Sequence, residues 1–404
     1  MLSSDAMPEP GYLALLETGE LEERVEKLYA LLSACTVCPR LCGNDRRAGV
    51  RASCAAAENP VVSAYAPHFG EEPCLSGTRG AGNIFLGLCN LRCVYCQNYQ
   101  ISQDYAAQRH NEVPVERLAG MALELQARGC HNIGFVSPTH YAPQVARAVL
   151  LGARRGLRLP IVYNTNAYDS VEVLRLLEGI VDVYLPDFKY ADSSAGWLYS
   201  KVPDYAERAR EALVEMFRQK GSRLELDDDG LLRGGLLVRV LVLPNGKAGV
   251  DESLAWIAEA LSPNVAVSLM AQYYPIHRAA QGEKYAALNR SITAAEWEEA
   301  LVALASNGLS RGYQQELDTA NRYYRPDFRD RERPFRDVRD FLEGGLDARK
   351  GAERSSGASY GREEDASAGM ASGSHALTTA CSASAAIVNV TAAETLPPSR
   401  SSIR

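Results

Sequence analysis

The sequence predicts an α/β fold, a partial (β/α)6 barrel of the TIM type with a Cys-rich extension before it and a disordered tail behind. Three observations predict it. Six apolar, β-rich runs alternate with helical patterns, the connections are long enough for crossovers, and polar clusters stand just past the ends of the runs. The chain divides accordingly. Residues 1–78 read as a helical and Cys-rich extension, 79–310 as the barrel core, 311–345 as an extension packing on the core, and 346–404 as the disordered tail.

The first strand is expected at 84–88, followed by a helix over 115–128 in which Leu118, Met121, Ala122 and Leu125 share a face. Further strands are expected at 133–137, 161–164, 181–185, 236–243 and 265–270, each with a helix after it. The last helix carries a capping box, Thr293 with Glu296 three residues on, and Gly308 stands where a C-terminal stop belongs. From 351 onward Ser, Ala and Gly dominate without apolar periodicity, a composition unable to offset its ordering entropy, so Cys381 within it reads as incidental. Gly77, Gly80 and Gly82 lack the Lys and Ser/Thr ending of a phosphate loop and read as a turn into the first strand.

A net charge of -7 argues against a broad phosphate-binding surface, so nucleic acid is not an expected partner. No stretch approaches the roughly 20 apolar residues of a membrane span, and the acidic N-terminus lacks the basic and apolar regions of a secretory signal. The expectation is a cytoplasmic protein. In that setting ten cysteines read as metal or cluster ligands rather than disulfides, and nine of them precede residue 131. Cys74 and Cys130 read as packing residues.

In a barrel of this kind the chemistry gathers where the strands end. Here the first strand runs into Cys89, Cys93 and Cys96 at C-x3-C-x2-C spacing, and the later strands end at Ser137 to His140, at Asn164 and Asn166, at Asp187 and Lys189, and at Gln272 to His277. Three soft thiolates in one short loop can hold three irons of a 4Fe–4S cluster and leave the fourth open. A structural zinc would want four ligands, and this loop offers three with no His nearby.

The spacing, Tyr95 before the last cysteine and the strand ahead of it match the signature of the radical S-adenosylmethionine superfamily. From about residue 34 to 335 the chain resembles the activating enzymes of glycyl radical enzymes, typified by pyruvate formate-lyase activating enzyme, and in particular the PflX-like branch. Supporting segments are VSPTHY from Val136, VYNTNAYDS from Val162, YLPDFKYAD from Tyr184, VRVLVLPN from Val238 and QYYPIHRA from Gln272. The resemblance implies a radical SAM barrel whose catalytic cluster, on Cys89, Cys93 and Cys96, binds S-adenosyl-L-methionine (SAM) and cleaves it to a deoxyadenosyl radical. It further implies a glycyl radical enzyme as partner and flavodoxin or ferredoxin as electron donor. Residue by residue, it implies that Tyr95 contacts the adenine, that Lys189, with Asp187 beside it, and Arg239 approach the SAM carboxylate, and that His277 borders SAM. Asn164 and Asn166 can donate and accept hydrogen bonds to ribose hydroxyls. Two departures stand out: Ser137, Pro138, Thr139 and His140 replace the usual Gly-Gly-Glu-type segment that binds the SAM amino group, and Glu332-Arg333-Pro334-Phe335 lacks the histidine of the family ending. Ser137 is therefore included among the SAM-binding candidates.

Upstream, Cys35, Cys38, Cys42 and Cys54 form C-x2-C-x3-C-x11-C, enough thiolates for one closed site. Structural zinc and a second, fully ligated 4Fe–4S cluster both fit that count. Two other functions stand beside activation of a glycyl radical enzyme: radical chemistry on a small molecule or RNA base, and a non-catalytic metal-binding scaffold whose cysteines only stabilise the fold.

Overall fold

The computed structural model describes residues 9–317 and 326–328, so the expectations for the tail, for Cys381 and for most of 311–345, including Glu332 to Phe335, lie outside the described residues. The architecture is mixed α/β, built on one nine-stranded sheet. Its strands are β1 (Val62–His68), β2 (Ala81–Leu86), β3 (Ile133–Val136), β4 (Ile161–Thr165), β5 (Val183–Pro186), β6 (Glu225–Leu226), β7 (Leu232–Leu241), β8 (Ala266–Met270) and β9 (Gly312–Gln314). The order is β1-β2-β3-β4-β5-β7-β8-β9, with β6 paired to β7. From β2 through β9 every neighbouring pair on that path is parallel, whereas β1 and β6 are antiparallel additions.

The six expected strands are β2, β3, β4, β5, β7 and β8, with ends displaced by a few residues. Helices cross between consecutive parallel strands: Val115–Ala127, Ala142–Arg154, Val171–Leu176, Tyr205–Lys220, Val250–Trp256 and Ala294–Ser306. They bury one face of the sheet, and the other lines the barrel interior, which is why β2, β3, β5 and β8 are buried at every position. Leu118 and Leu125 are fully buried on the Val115–Ala127 helix, each worth roughly 1.5–3 kcal/mol. The capping box forms as the sequence predicts, with the Thr293 hydroxyl accepting from Glu296 N–H and the Glu296 carboxylate accepting from Thr293 N–H.

The sequence reading missed β1, which lies in the stretch expected to be a helical, Cys-rich extension. It carries Pro67, whose missing N–H is tolerated because the strand sits at the sheet edge. The helices Gly11–Thr18 and Glu20–Ala30 pack on Ala142–Arg154. Asp182 fixes them to the barrel: its carboxylate accepts from Gly11 N–H at 2.9 Å and from Ile161 N–H, at the start of β4, at 2.8 Å. In the β2–β3 register Asn83 faces Gly134, and a Cβ on Gly134 would collide with the Asn83 side-chain oxygen. Among the described residues no helix is long and apolar enough to cross a membrane.

Candidate active site

Past β2 the backbone turns sharply at Leu88, which adopts a left-handed φ of 66° and donates its N–H to Ile101 at 2.7 Å. That turn delivers Cys89, and the chain then loops through Cys93 and Cys96. Arg92 N–H and Val94 N–H bond to the carbonyls of Ser200 and Tyr199, pinning the loop to the helix Ser193–Ser200. Each sulfur has a polar neighbour. Leu91 N–H lies 3.3 Å from Cys89 Sγ, Ser200 Oγ 3.0 Å from Cys93 Sγ and Ser102 Oγ 3.3 Å from Cys96 Sγ.

Burial pushes the Cys89 thiol up to about 12 and the Cys96 thiol up to about 11, with the Cys93 thiol adding in both cases. Burial raises Cys93 as well, against the pull of Lys189. Three thiols that resist ionisation, Cys93 buried and Cys89 and Cys96 half-buried, are poor surroundings for a free thiolate but suit metal ligation, in which binding itself displaces the proton. Among the described residues no three His, Cys, Asp or Glu side chains gather around a single ion. A 4Fe–4S cluster asks for something different, since each thiolate binds its own iron.

The three cysteines line a cavity of about 270 Å³ that also takes in Tyr95, Ser137, Asn164, Asn166, Asp187, Lys189 and Arg239. The strand ends thus bring together ten of the eleven site residues expected from the sequence. The ammonium of Lys189 donates to Asp187 Oδ2 at 2.7 Å. Burial works against its charge, but Asp187 and the cysteines Cys93 and Cys96 together hold its pKa above the ordinary lysine value. The Tyr205 hydroxyl accepts from Lys189 N–H and reaches the carbonyls of Asn166 and Asp187, each at 2.9 Å, so one phenol joins the ends of β4 and β5. Tyr95 is buried edge-on against Tyr190 and Tyr273. Ser137 holds a left-handed φ of 58°, and its N–H bonds to Asn164 O.

Three placements differ from the sequence reading in detail. The Asn166 amide is already engaged, donating to Asn90 Oδ1 at 2.8 Å and toward Cys89 Sγ at 3.6 Å, which makes it a neighbour of the cysteine loop. Arg239 faces the cavity, but its guanidinium is held by Glu71 and by Glu72, the latter through Nε at 2.9 Å and Nη2 at 2.5 Å. His277 does not reach this cavity. Its left-handed φ of 55° turns the imidazole onto Tyr99, where the rings stack at 4.7 Å in a separate polar recess.

Glu71 and Glu72 line the cavity and were not anticipated. Asn83 donates to Glu71 Oε1 at 2.6 Å, and although burial pushes the Glu71 carboxyl up, Arg239 and His68 draw it down to about 2. The signal for this pair was weak, two acids in a turn before a strand. Three of the four upstream cysteines, Cys35, Cys38 and Cys42, lie in one reversed loop closed by Cys35 N–H to Asn44 O and Gly43 N–H to Cys35 O, and among the described residues no three of the four gather around a single ion. Cys35, Cys38 and Cys54 are buried and Cys42 half-buried.

Residues 83–226 match the family model for the Radical SAM superfamily. The chain is also similar to an uncharacterized protein of Methanocaldococcus jannaschii, 28% identical over 286 residues that cover 70% of this chain and 77% of that protein.

Proposed function

We propose, on the match of residues 83–226 to the Radical SAM superfamily model, that Cys89, Cys93 and Cys96 ligate a 4Fe–4S cluster and that the adjoining cavity binds SAM for hydrogen-atom abstraction from a glycyl radical enzyme. The observation that carries this reading is the convergence of the three cysteines with the Lys189–Asp187 pair on one cavity at the strand ends. When bound, the cluster and SAM supply a deoxyadenosyl radical able to take a hydrogen atom.

The chain's own residues bind, aim and shield. Lys189 presents a cation suited to a carboxylate, and Asp187 beside it an acceptor suited to an ammonium, so the two ends of an amino-acid moiety have partners two residues apart. Tyr95, wholly within the aromatic group of Tyr190 and Tyr273, offers an apolar wall for a purine. Asn164 borders the cavity with a side chain that can meet hydroxyls. Asn166 and Leu91 N–H point toward Cys89 Sγ and can stabilise charge on a ligating sulfur. The choice of a protein glycine as hydrogen donor draws on the resemblance to the activating enzymes.

Anaerobic iron–sulfur reconstitution, reduction and assay for deoxyadenosine test the first half. Failure of the reduced protein to cleave SAM would overturn it in favour of a metal-binding scaffold. Incubation with a glycine-deuterated glycyl radical enzyme tests the second, with deuterium expected in deoxyadenosine. Deuterium appearing only from a small molecule or RNA base would replace the substrate while leaving the SAM step intact.

A further inference from the structure

The loop of residues 35–46 folds back on itself: Cys35 N–H bonds to Asn44 O, Gly43 N–H returns to Cys35 O, and Arg46 N–H reaches Leu32 O. Left-handed turns at Leu41 and Gly43 make this reversal. It encloses Arg46, whose side chain is only 1% exposed. The guanidinium donates to Ala57 O at 2.8 and 3.1 Å and to His140 O at 2.6 Å, lies over the Tyr141 ring, and approaches Cys35 Sγ at 4.0 Å. Among the described residues no carboxylate pairs with it. A buried cation held only by neutral groups is costly, and the groups at hand that can become anionic are the thiols of Cys35, Cys38, Cys42 and Cys54. Four thiolates around a metal centre carry net negative charge and would answer that cation.

The location argues for what the centre is. Arg40, two residues from Cys38, donates through Nε to the carbonyl of Asn90 at 2.5 Å, immediately after Cys89. From the other side Arg92, immediately before Cys93, donates to the carbonyl of Ser53 at 2.8 Å, immediately before Cys54. The two cysteine loops are thereby tied together twice. A structural zinc stabilises a fold wherever it sits, but contact with the cysteine loop of the cavity is what an electron relay requires.

We propose that Cys35, Cys38, Cys42 and Cys54 ligate a second 4Fe–4S cluster, charge-matched by Arg46, that hands electrons to the site of Cys89, Cys93 and Cys96. One electron from a reduced donor of the flavodoxin or ferredoxin class reduces the upstream centre by one. The same electron then passes to the cavity site, returning the upstream centre to its oxidised state, with no bond or proton changing hands. Cys42, the half-buried ligand beside exposed Leu41, marks the side nearest solvent. The electron-delivery half rests on the SAM-cleaving reading, and the metal-binding half does not.

Metal analysis of the unaltered protein after anaerobic reconstitution is expected to give about eight irons per chain. About four irons with one zinc overturns the proposal. The triple variant C89A/C93A/C96A isolates the upstream site. It should retain about four irons and about four sulfides and show the electron paramagnetic resonance of a reduced 4Fe–4S centre after dithionite; zinc without iron, or no metal in the folded variant, overturns the site. For the relay, C42S is expected to lower flavodoxin-driven SAM cleavage at least tenfold relative to dithionite-driven cleavage. An unchanged ratio with loss of the second centre confirmed by iron content overturns electron delivery. Absence of SAM cleavage by the unaltered protein under dithionite counts against the proposed function alone, because the triple variant reads the upstream centre independently.

Discussion

Replacing Arg239 by Met should reveal how much of the cavity's order depends on one guanidinium. The Arg239 side chain is 11% exposed, and those of Glu71 and Glu72, which it joins, are 10% and 7% exposed. R239M keeps most of the volume but leaves two buried carboxylates without their cation, a loss of about 3–5 kcal/mol at neutral pH. The pH dependence gives a sharper signature. In the native protein Glu71 titrates at about 2, below its ordinary 4.5. A depressed carboxyl stabilises the fold above pH 4.5, and the contribution, about 3 kcal/mol for a shift of this size, fades as pH falls toward 2. Without Arg239 the burial of Glu71 is opposed only by weaker partners, its pKa moves upward, and protonation then relieves the buried charge. The stability difference between wild type and R239M should therefore shrink on going from pH 7 to pH 5. Urea unfolding followed by tryptophan fluorescence at both pH values measures this. A difference under 1 kcal/mol at pH 7, or one that grows on acidification, would refute the assignment of Arg239 as the counter-charge of this pair.

Lys189→Met removes the cation proposed to meet the SAM carboxylate, so the dissociation constant for SAM in equilibrium dialysis should rise about 10- to 100-fold; unchanged affinity would exclude the contact. Asp169 lies under the end of β4, where burial raises its pKa to about 6 against hydrogen bonds from Thr165 and Tyr163. The folded state then keeps a proton that the unfolded chain releases near its ordinary 3.8, so this group makes stability fall as pH rises from about 4 to about 6, by roughly 3 kcal/mol. D169N should remove that share of the slope, and parallel stability–pH curves for wild type and variant would contradict the burial argument.

Six of the seven parallel strands were legible because burial makes each an apolar run bounded by polar residues, as at Ile133–Val136 and Ala266–Met270, whereas the half-buried Gly312–Gln314 carries no such run. The edge strand Val62–His68 mixes small residues, a tyrosine and a proline and carries no such mark. The cavity followed the same division. Cys89, Tyr95, Cys93 and Cys96 share one short segment, and the Lys189–Asp187 pair spans three residues. By contrast Arg239 meets Glu71 across 168 positions and Glu72 across 167, a pairing that only the folded sheet creates. His277 went astray for a local reason. Its position after β8 was readable, but the left-handed backbone that rotates its ring onto Tyr99 was not.

The bare α-carbon at Gly134 has reach beyond its own strand. Asn83 occupies the room that a methyl would fill, and from there it steadies Glu71, which in turn steers Arg239. An alanine at 134 would dislodge the first member of this sequence and so rearrange the acid and base at the cavity wall without touching any group that faces a ligand. The disposition of charge inside the barrel is inherited from a hydrogen atom on the neighbouring strand.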